Sequence, residues 1–183
     1  MQHMWRGRHC ISEECGCRNS SEYDVEASMT WLRWYRPLLM LLVFTYALFV
    51  IKMPRLWKRK LPCMEAAIFF WDLFNAFADL YLLILLLPEF LWSFRGGLYS
   101  SVCLNDNLYK NARTGHAIFT FHISKTWELL DTVLVILDGH DTATLHVAHH
   151  IVSCVSALYS YHSIGALARW IAITNLASHC ILY

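Results

Sequence analysis

Apolar residues run in long blocks along this chain, and the interruptions between them are short. Five blocks approach or pass the roughly 20 residues a helix needs to cross a bilayer. They are Trp31–Ile51, Ala66–Trp92, His116–Leu137, Thr142–Tyr161 and Gly165 to the end. The second is long and carries Pro88 near its end, which predicts an interruption there. Inside the blocks the polar residues fall at helical spacing. Asp72, Asn75 and Asp79 stand at i, i+3 and i+7, as do Lys125, Glu128 and Thr132, with Asp131 alongside. His146, His149 and His150 stand at i, i+3 and i+4, and Asn175 and His179 at i and i+4, followed by Tyr183. Residues so spaced share one face of a helix. The pattern predicts an all-α, polytopic membrane helix bundle with polar stripes facing inward.

Composition sharpens the class. Hydrophobic residues make up 57% of the 183 and charged residues 16%, against about 25% charged in an average soluble domain. The net charge of +1 offers no basic surface for a nucleic acid. Lys52, Arg55, Lys58, Arg59 and Lys60 form a basic loop without acids, which the positive-inside rule assigns to the cytoplasm. Residues 1–30 then form a luminal tail and 31–183 the membrane domain. Alternation makes the loop 89–115 luminal, that near Asp138–Asp141 cytoplasmic and that near His162 luminal. Asn19-Ser20-Ser21 is a glycosylation sequon on the side where glycosylation occurs.

Other terminal signals are few. The chain opens without a cleavable signal-peptide pattern. The last block shows no cap, Gly or Pro stop, or basic flank, which reads as a chain cut short within a span. Seven cysteines form no framework. Cys10, Cys15 and Cys17 suit a disulfide or free thiols in a luminal tail, and Cys103 is free to pair in a luminal loop. Cys63, Cys154 and Cys180 read as packing residues.

Imidazoles within an apolar block call for a chemical reason. A set of hydrogen-bonded core histidines is the bland one, and three rings on one face argue against it. Metal binding, general acid–base work and nucleophilic catalysis all use such rings. A di-iron desaturase or hydroxylase needs several histidine boxes, and here only one is complete. Lys125 and Glu128 suit a structural ion pair or a functional one. The Asp72–Asn75–Asp79 stripe lines the same chamber or, as the simpler role, ties helices together by hydrogen bonds.

Three of these segments, in order, resemble the signature motifs of the ELO family of very-long-chain fatty acid elongases. Lys125-Thr126-Trp127-Glu128-Leu129-Leu130-Asp131-Thr132 matches K-x-x-E-x-x-D-T, and Leu145 to His150 matches L-H-x-x-H-H. Asn175 to Tyr183 resembles N-x-x-x-H-x-x-M-Y, with Leu182 in place of Met. Ser101-Val102-Cys103 and Tyr159-Ser160-Tyr161 resemble the branch acting on saturated and monounsaturated acyl chains. The resemblance implies seven transmembrane helices, about five of them present here, in the endoplasmic reticulum membrane with a luminal N-terminus. It implies condensation of acyl-CoA with malonyl-CoA to a 3-oxoacyl-CoA, CO2 and CoA, without a cofactor or metal. Partners would be the bilayer, a homo-oligomer and the other enzymes of the elongation cycle.

By position, the resemblance makes His149 the residue that takes the acyl group as an acyl-imidazole, with His179 as its partner. His146 and His150 orient rings, move protons and assist decarboxylation. Lys125, Glu128, Asp131, Thr132, Asn175 and Tyr183 become substrate-binding residues, with Lys125 contacting the CoA phosphates or a carboxylate. Leu137-Asp138-Gly139-His140-Asp141 departs from the family's basic L-R-K-K run. That departure, with two helices missing by analogy, supports an alternative: an inactive membrane protein that binds acyl-CoA or a partner elongase.

Overall fold

The computed structural model describes residues 22–56, 60–105, 108–163 and 165–182. Asn19, Cys10, Cys15, Cys17, Lys58, Arg59 and Tyr183, and the Arg55 side chain, lie outside the described residues. The described chain is helical: α1 (Val25–Leu56), α2 (Met64–Ser93), α3 (Gly97–Cys103), α4 (Ala112–Trp127), α5 (Leu129–Leu137), α6 (Thr144–Ser160) and α7 (Ala168–Leu182). Among the described residues, β structure is limited to an isolated bridge between Glu22 and Asn111.

The two long helices are inverted relative to soluble ones. α2 buries Asn75 and Asp79 with Leu82 and Leu86, yet exposes Phe69, Phe70, Phe77 and Tyr81 by 59–67%. α1 buries Leu32, Val43, Tyr46 and Val50 and exposes Trp34, Leu38, Phe44 and Ile51. Such wide apolar exposure suits hydrocarbon, not water. By length and composition Val25–Met53 and Met64–Cys103 are each able to cross a membrane. The shorter α6 and α7, of 17 and 15 residues, match the fourth and fifth predicted blocks.

Three local expectations are corrected. α2 runs through Pro88 to Ser93 without interruption. A proline lacks the N–H that would bond the carbonyl four residues earlier, and here Arg113 Nη2 donates to that Ile84 carbonyl at 3.2 Å. The third block is not one helix: a turn at Glu128 divides α4 from α5. Cys63 is exposed, not packed, and takes a left-handed conformation (φ 65°) ahead of α2. Cys154 is buried as expected, and Cys103 is an exposed free thiol.

The helices share two ends. At one, Leu61 N donates to Leu137 O, and Lys60 Nζ lies 3.4 Å from Asp138 and 2.6 Å from Glu65. The segments before α2 and after α5 therefore meet. At the other end Tyr23 N donates to Lys110 O, and the Tyr109 hydroxyl to Gly165 O at 3.1 Å. Burial pushes the Tyr109 phenol up to about 12, so it remains a donor. Gly115 lets α4 pass the Tyr23 ring, since a Cβ there would lie 2.3 Å from Tyr109 O and 2.6 Å from that ring.

Arg169 locks this second end. Its guanidinium is 2% exposed, forks onto Glu89 at 2.7 and 3.2 Å, and donates to the Ser101 and Leu104 carbonyls at 2.7 Å. Trp170 packs edge-on to Phe90 and Phe94 and donates to Ser101 Oγ. These contacts fasten α7 along α2, its most extensive neighbour. Glu89→Gln removes the charge that Arg169 is buried against, and a broken buried pair costs about 3–5 kcal/mol. Thermal unfolding in detergent or nanodiscs should show that loss, whereas an exposed change such as Leu98→Ala should leave the midpoint in place.

Candidate active site

α7 lies along α2 and beside α4, so its inner face meets the polar stripes of both. Asn175 and His179 stand one turn apart on that face. Lys125, in the last turn of α4, reaches across to them. Its Nζ donates to both Glu128 oxygens at 2.6 and 2.8 Å and to Asn175 Oδ1 at 2.6 Å. Lys125 is 3% exposed and Glu128 2%. The turn between α4 and α5 aims the Glu128 carboxylate back at Lys125, and Ser124 Oγ donates to it at 3.1 Å.

The network continues into α7 and α2. Asn175 Nδ2 lies 3.3 Å from His179 Nε2, and His179 Nδ1 lies 3.1 Å from Asp79 Oδ2. Five buried or half-buried side chains on three helices and one turn thus form a continuous line: Glu128, Lys125, Asn175, His179, Asp79. A third carboxylate, Asp131 on α5, accepts from Trp71 Nε1 and, at 3.4 Å, from Asn75 Nδ2. Its other oxygen is 3.9 Å from His150 Nε2. Thr132 accepts from the Tyr46 hydroxyl at 2.8 Å, which ties α1 to α5.

The histidine box opens α6. His150 is buried, while His146 and His149 are exposed. The His146 and His150 rings meet edge-on at 4.4 Å, and those of His149 and His150 lie 5.9 Å apart. All three line a cleft of about 380 Å³ with His179, Asp131, Asp72 and Trp71. His149 also lines a second cleft, of about 340 Å³, with Phe121, His122, Lys125, Ala157, Leu167, Ile171 and Asn175. One ring therefore faces both spaces. The second cleft follows α6 from His149 toward Ser163 and Gly165, at the end of the bundle that Arg169 locks.

The structure brings His146, His149, His150 and His179 to one cleft, with Asp131 on its wall. Glu128 and Thr132 are committed to protein partners and line neither cleft, whereas Lys125 and Asn175 line the second. Asp79 was legible only as part of a stripe suited to helix packing. Its pairing with His179 depends on α7 crossing α2, which spacing within one helix does not encode. His122 stands three residues before Lys125 and so shares the face of its stripe, a signal the motif pattern did not use. It is buried, and its Nδ1 donates to Ile118 O at 2.7 Å. Asp79, Glu128 and His179 place donor atoms within 4.8 Å of one another. The Lys125 ammonium already supplies the positive charge there, and the donors fit a proton-bearing network better than a cation.

A membrane helix bundle with a histidine box at a cleft and a buried Lys–Glu pair defines the class. The chain belongs to the GNS1/SUR4 (ELO) family, whose profile matches residues 31–183. Long chain fatty acid elongase 2 of Caenorhabditis elegans is 36% identical over 99 residues, 54% of this chain and 36% of that protein. Very long chain fatty acid elongase 6 of Drosophila melanogaster is 27% identical over 155 residues, 84% of this chain and 47% of that protein. The human very long chain fatty acid elongase 6 is 32% identical over 87 residues, 48% of this chain and 32% of that protein. The chain spans about half, or less, of the length of these curated relatives. No solved structure matches the chain.

Lys125→Met tests the network. It strands the Glu128 carboxylate in a site that is 2% exposed, and a buried charge without its partner costs about 3–5 kcal/mol. Lys125→Met combined with Glu128→Leu should recover most of that stability in a thermal melt, because the stranded charge is gone.

Proposed function

We propose that this protein catalyses the condensation of a fatty acyl-CoA with malonyl-CoA, giving a 3-oxoacyl-CoA two carbons longer, CO2 and CoA. The observation that carries the reading is the position of His149 between two clefts. The apolar cleft beside Phe121, Ala157, Leu167 and Ile171 suits an acyl tail. The other, with four imidazoles and Asp131, suits the reacting carbonyl and the malonyl group. A carbonyl placed at His149 is within reach of both. Membership of a family whose curated relatives are named fatty acid elongases supports the same reaction.

His149 attacks the thioester carbonyl, the C–S bond breaks, and CoA leaves as a thiolate that takes a proton from solvent. The acyl-imidazole is then attacked by the carbanion left when malonyl-CoA loses CO2. A carbon–carbon bond forms, and the C–N bond to His149 breaks. His150 packs edge-on against both His146 and His149 and holds the rings in place, and Asp131 orients His150. Exclusion of water by the bound acyl chain protects the acyl adduct and strengthens electrostatic stabilisation of the enolate. No cofactor beyond the two thioesters takes part. Lys125 acts through Asn175 rather than by direct contact with CoA phosphates. At the opposite end of the bundle from the Arg169 lock, Lys60 partly offsets the acidic Asp138–Asp141 run.

The setting we infer is the endoplasmic reticulum membrane, crossed several times, with the N-terminus luminal and the His146 end of the bundle cytosolic. The product is a substrate for the reductases and dehydratase of the elongation cycle, which, with a second copy of the chain, are the protein partners we infer.

The test uses the full chain in nanodiscs with labelled malonyl-CoA and a long-chain acyl-CoA. The wild type should yield 3-oxoacyl-CoA and, without malonyl-CoA, a mass increase of one acyl group. His149→Ala should lose both, with product formation down by about 10³-fold or more, as expected for a covalent catalyst. Normal turnover by His149→Ala would remove the acyl-imidazole. Acyl-CoA binding without any product from the wild type would instead favour the non-catalytic reading.

A further inference from the structure

The four imidazoles of the cleft are not equivalent. Among the described residues, no carboxylate pairs with His146 or His149. Asp131 reaches His150 at 3.9 Å, a long contact. Of the four, among the described residues, His179 alone has a carboxylate at hydrogen-bond distance, Asp79 Oδ2 at 3.1 Å from Nδ1. Asp79 is 4% exposed and lies on α2, 100 residues away in the chain.

The network also assigns the His179 tautomer. An ammonium only donates, so Lys125 requires the oxygen of the Asn175 amide to face it. The Asn175 NH2 then faces His179 Nε2, which must accept. The ring proton therefore sits on Nδ1 and is donated to Asp79. His179 lines the polar cleft together with His149. The Asn175 contact, at 3.3 Å, is long and gives way easily. An imidazole with its Nδ1–H on a buried carboxylate is held in one tautomer.

We propose that Asp79 is a positioning residue that makes His179 the proton carrier of the condensation. The assignment rests on the condensing reading above. As His149 bonds the acyl carbon, its N–H proton passes to His179 Nε2. The thiolate released in that step takes its own proton from solvent. When the malonyl-derived carbanion attacks and the C–N bond breaks, the imidazolate of His149 recovers the proton from His179. His149 and His179 end as they began, and the proton from solvent on CoA closes the balance. His149, free of a carboxylate, keeps its nitrogen for bond formation, while Asp79 reserves His179 for the proton.

The alternative for Asp79 is a tether that only fastens α7 to α2. The two differ in what they move. In the full chain in nanodiscs, Asp79→Asn should lower kcat by about 10²–10⁴-fold, the range for losing a positioned acid–base pair. KM for acyl-CoA should stay within about twofold, and Asp79→Glu should restore at least about tenfold of the loss. Ring ¹⁵N spectra of histidine-labelled protein give a readout independent of turnover. His179 should show a single Nδ1–H tautomer in the wild type and a mixture in Asp79→Ala. Wild-type kcat in a folded Asp79→Asn, or an unchanged His179 tautomer in Asp79→Ala, would overturn the assignment. A wild type that makes no product would overturn the condensing reading and the proton role with it. A loss confined to KM or to the unfolding midpoint would leave Asp79 a tether, against the proposal.

Discussion

One ammonium group organises the interior of this bundle. Lys125 is buried where an unpaired charge would be costly, so it takes both oxygens of Glu128 and the amide oxygen of Asn175. Those bonds settle more than the lysine itself. They fix which way the Asn175 amide points, and the amide fixes which nitrogen of His179 accepts. His179 in turn presents its N–H to Asp79. The line of charge and hydrogen bonds passes from α4 through α7 to α2, so it joins three helices and orients the His179 ring at once.

The fold works to keep that line in place. Arg169 and Glu89, with the aromatic trio of Trp170, Phe90 and Phe94, fasten the beginning of α7 to the end of α2. From there α7 lies along α2 until His179 reaches Asp79. Tyr46 to Thr132 ties α1 to α5, and Trp71 to Asp131 ties α2 to α5. α6 then brings the histidine box to the same space, where His149 separates the apolar cleft from the polar one. Helix packing and site geometry are one set of contacts, since the polar groups that hold the bundle also set the imidazoles.

Much of this was legible in the sequence because a polar residue in an apolar block is conspicuous. The spacing of His146, His149 and His150 announces one face, as does that of Lys125, Glu128 and Thr132. The helical class and the approximate positions of the helices follow from the same blocks. Three things were not legible. Pro88 does not stop α2, because Arg113 from a distant segment bonds the carbonyl that proline leaves open. The third block breaks at Glu128, in a turn whose carboxylate meets Lys125, and the continuous block does not mark such a break. The role of Asp79 depends on α7 lying along α2, an arrangement between segments far apart in the chain that no single helix pattern contains.

The central claim is that Lys125, Asn175, His179 and Asp79 act as one unit. The most direct measurement is a double-mutant cycle on turnover with Asn175→Ala and Asp79→Asn, in the full chain in nanodiscs. Side chains that act through the same ring have strongly non-additive effects. The account predicts that the double variant is no slower than about the slower single variant. If the two losses in kcat multiply instead, the residues act independently and the unit does not exist.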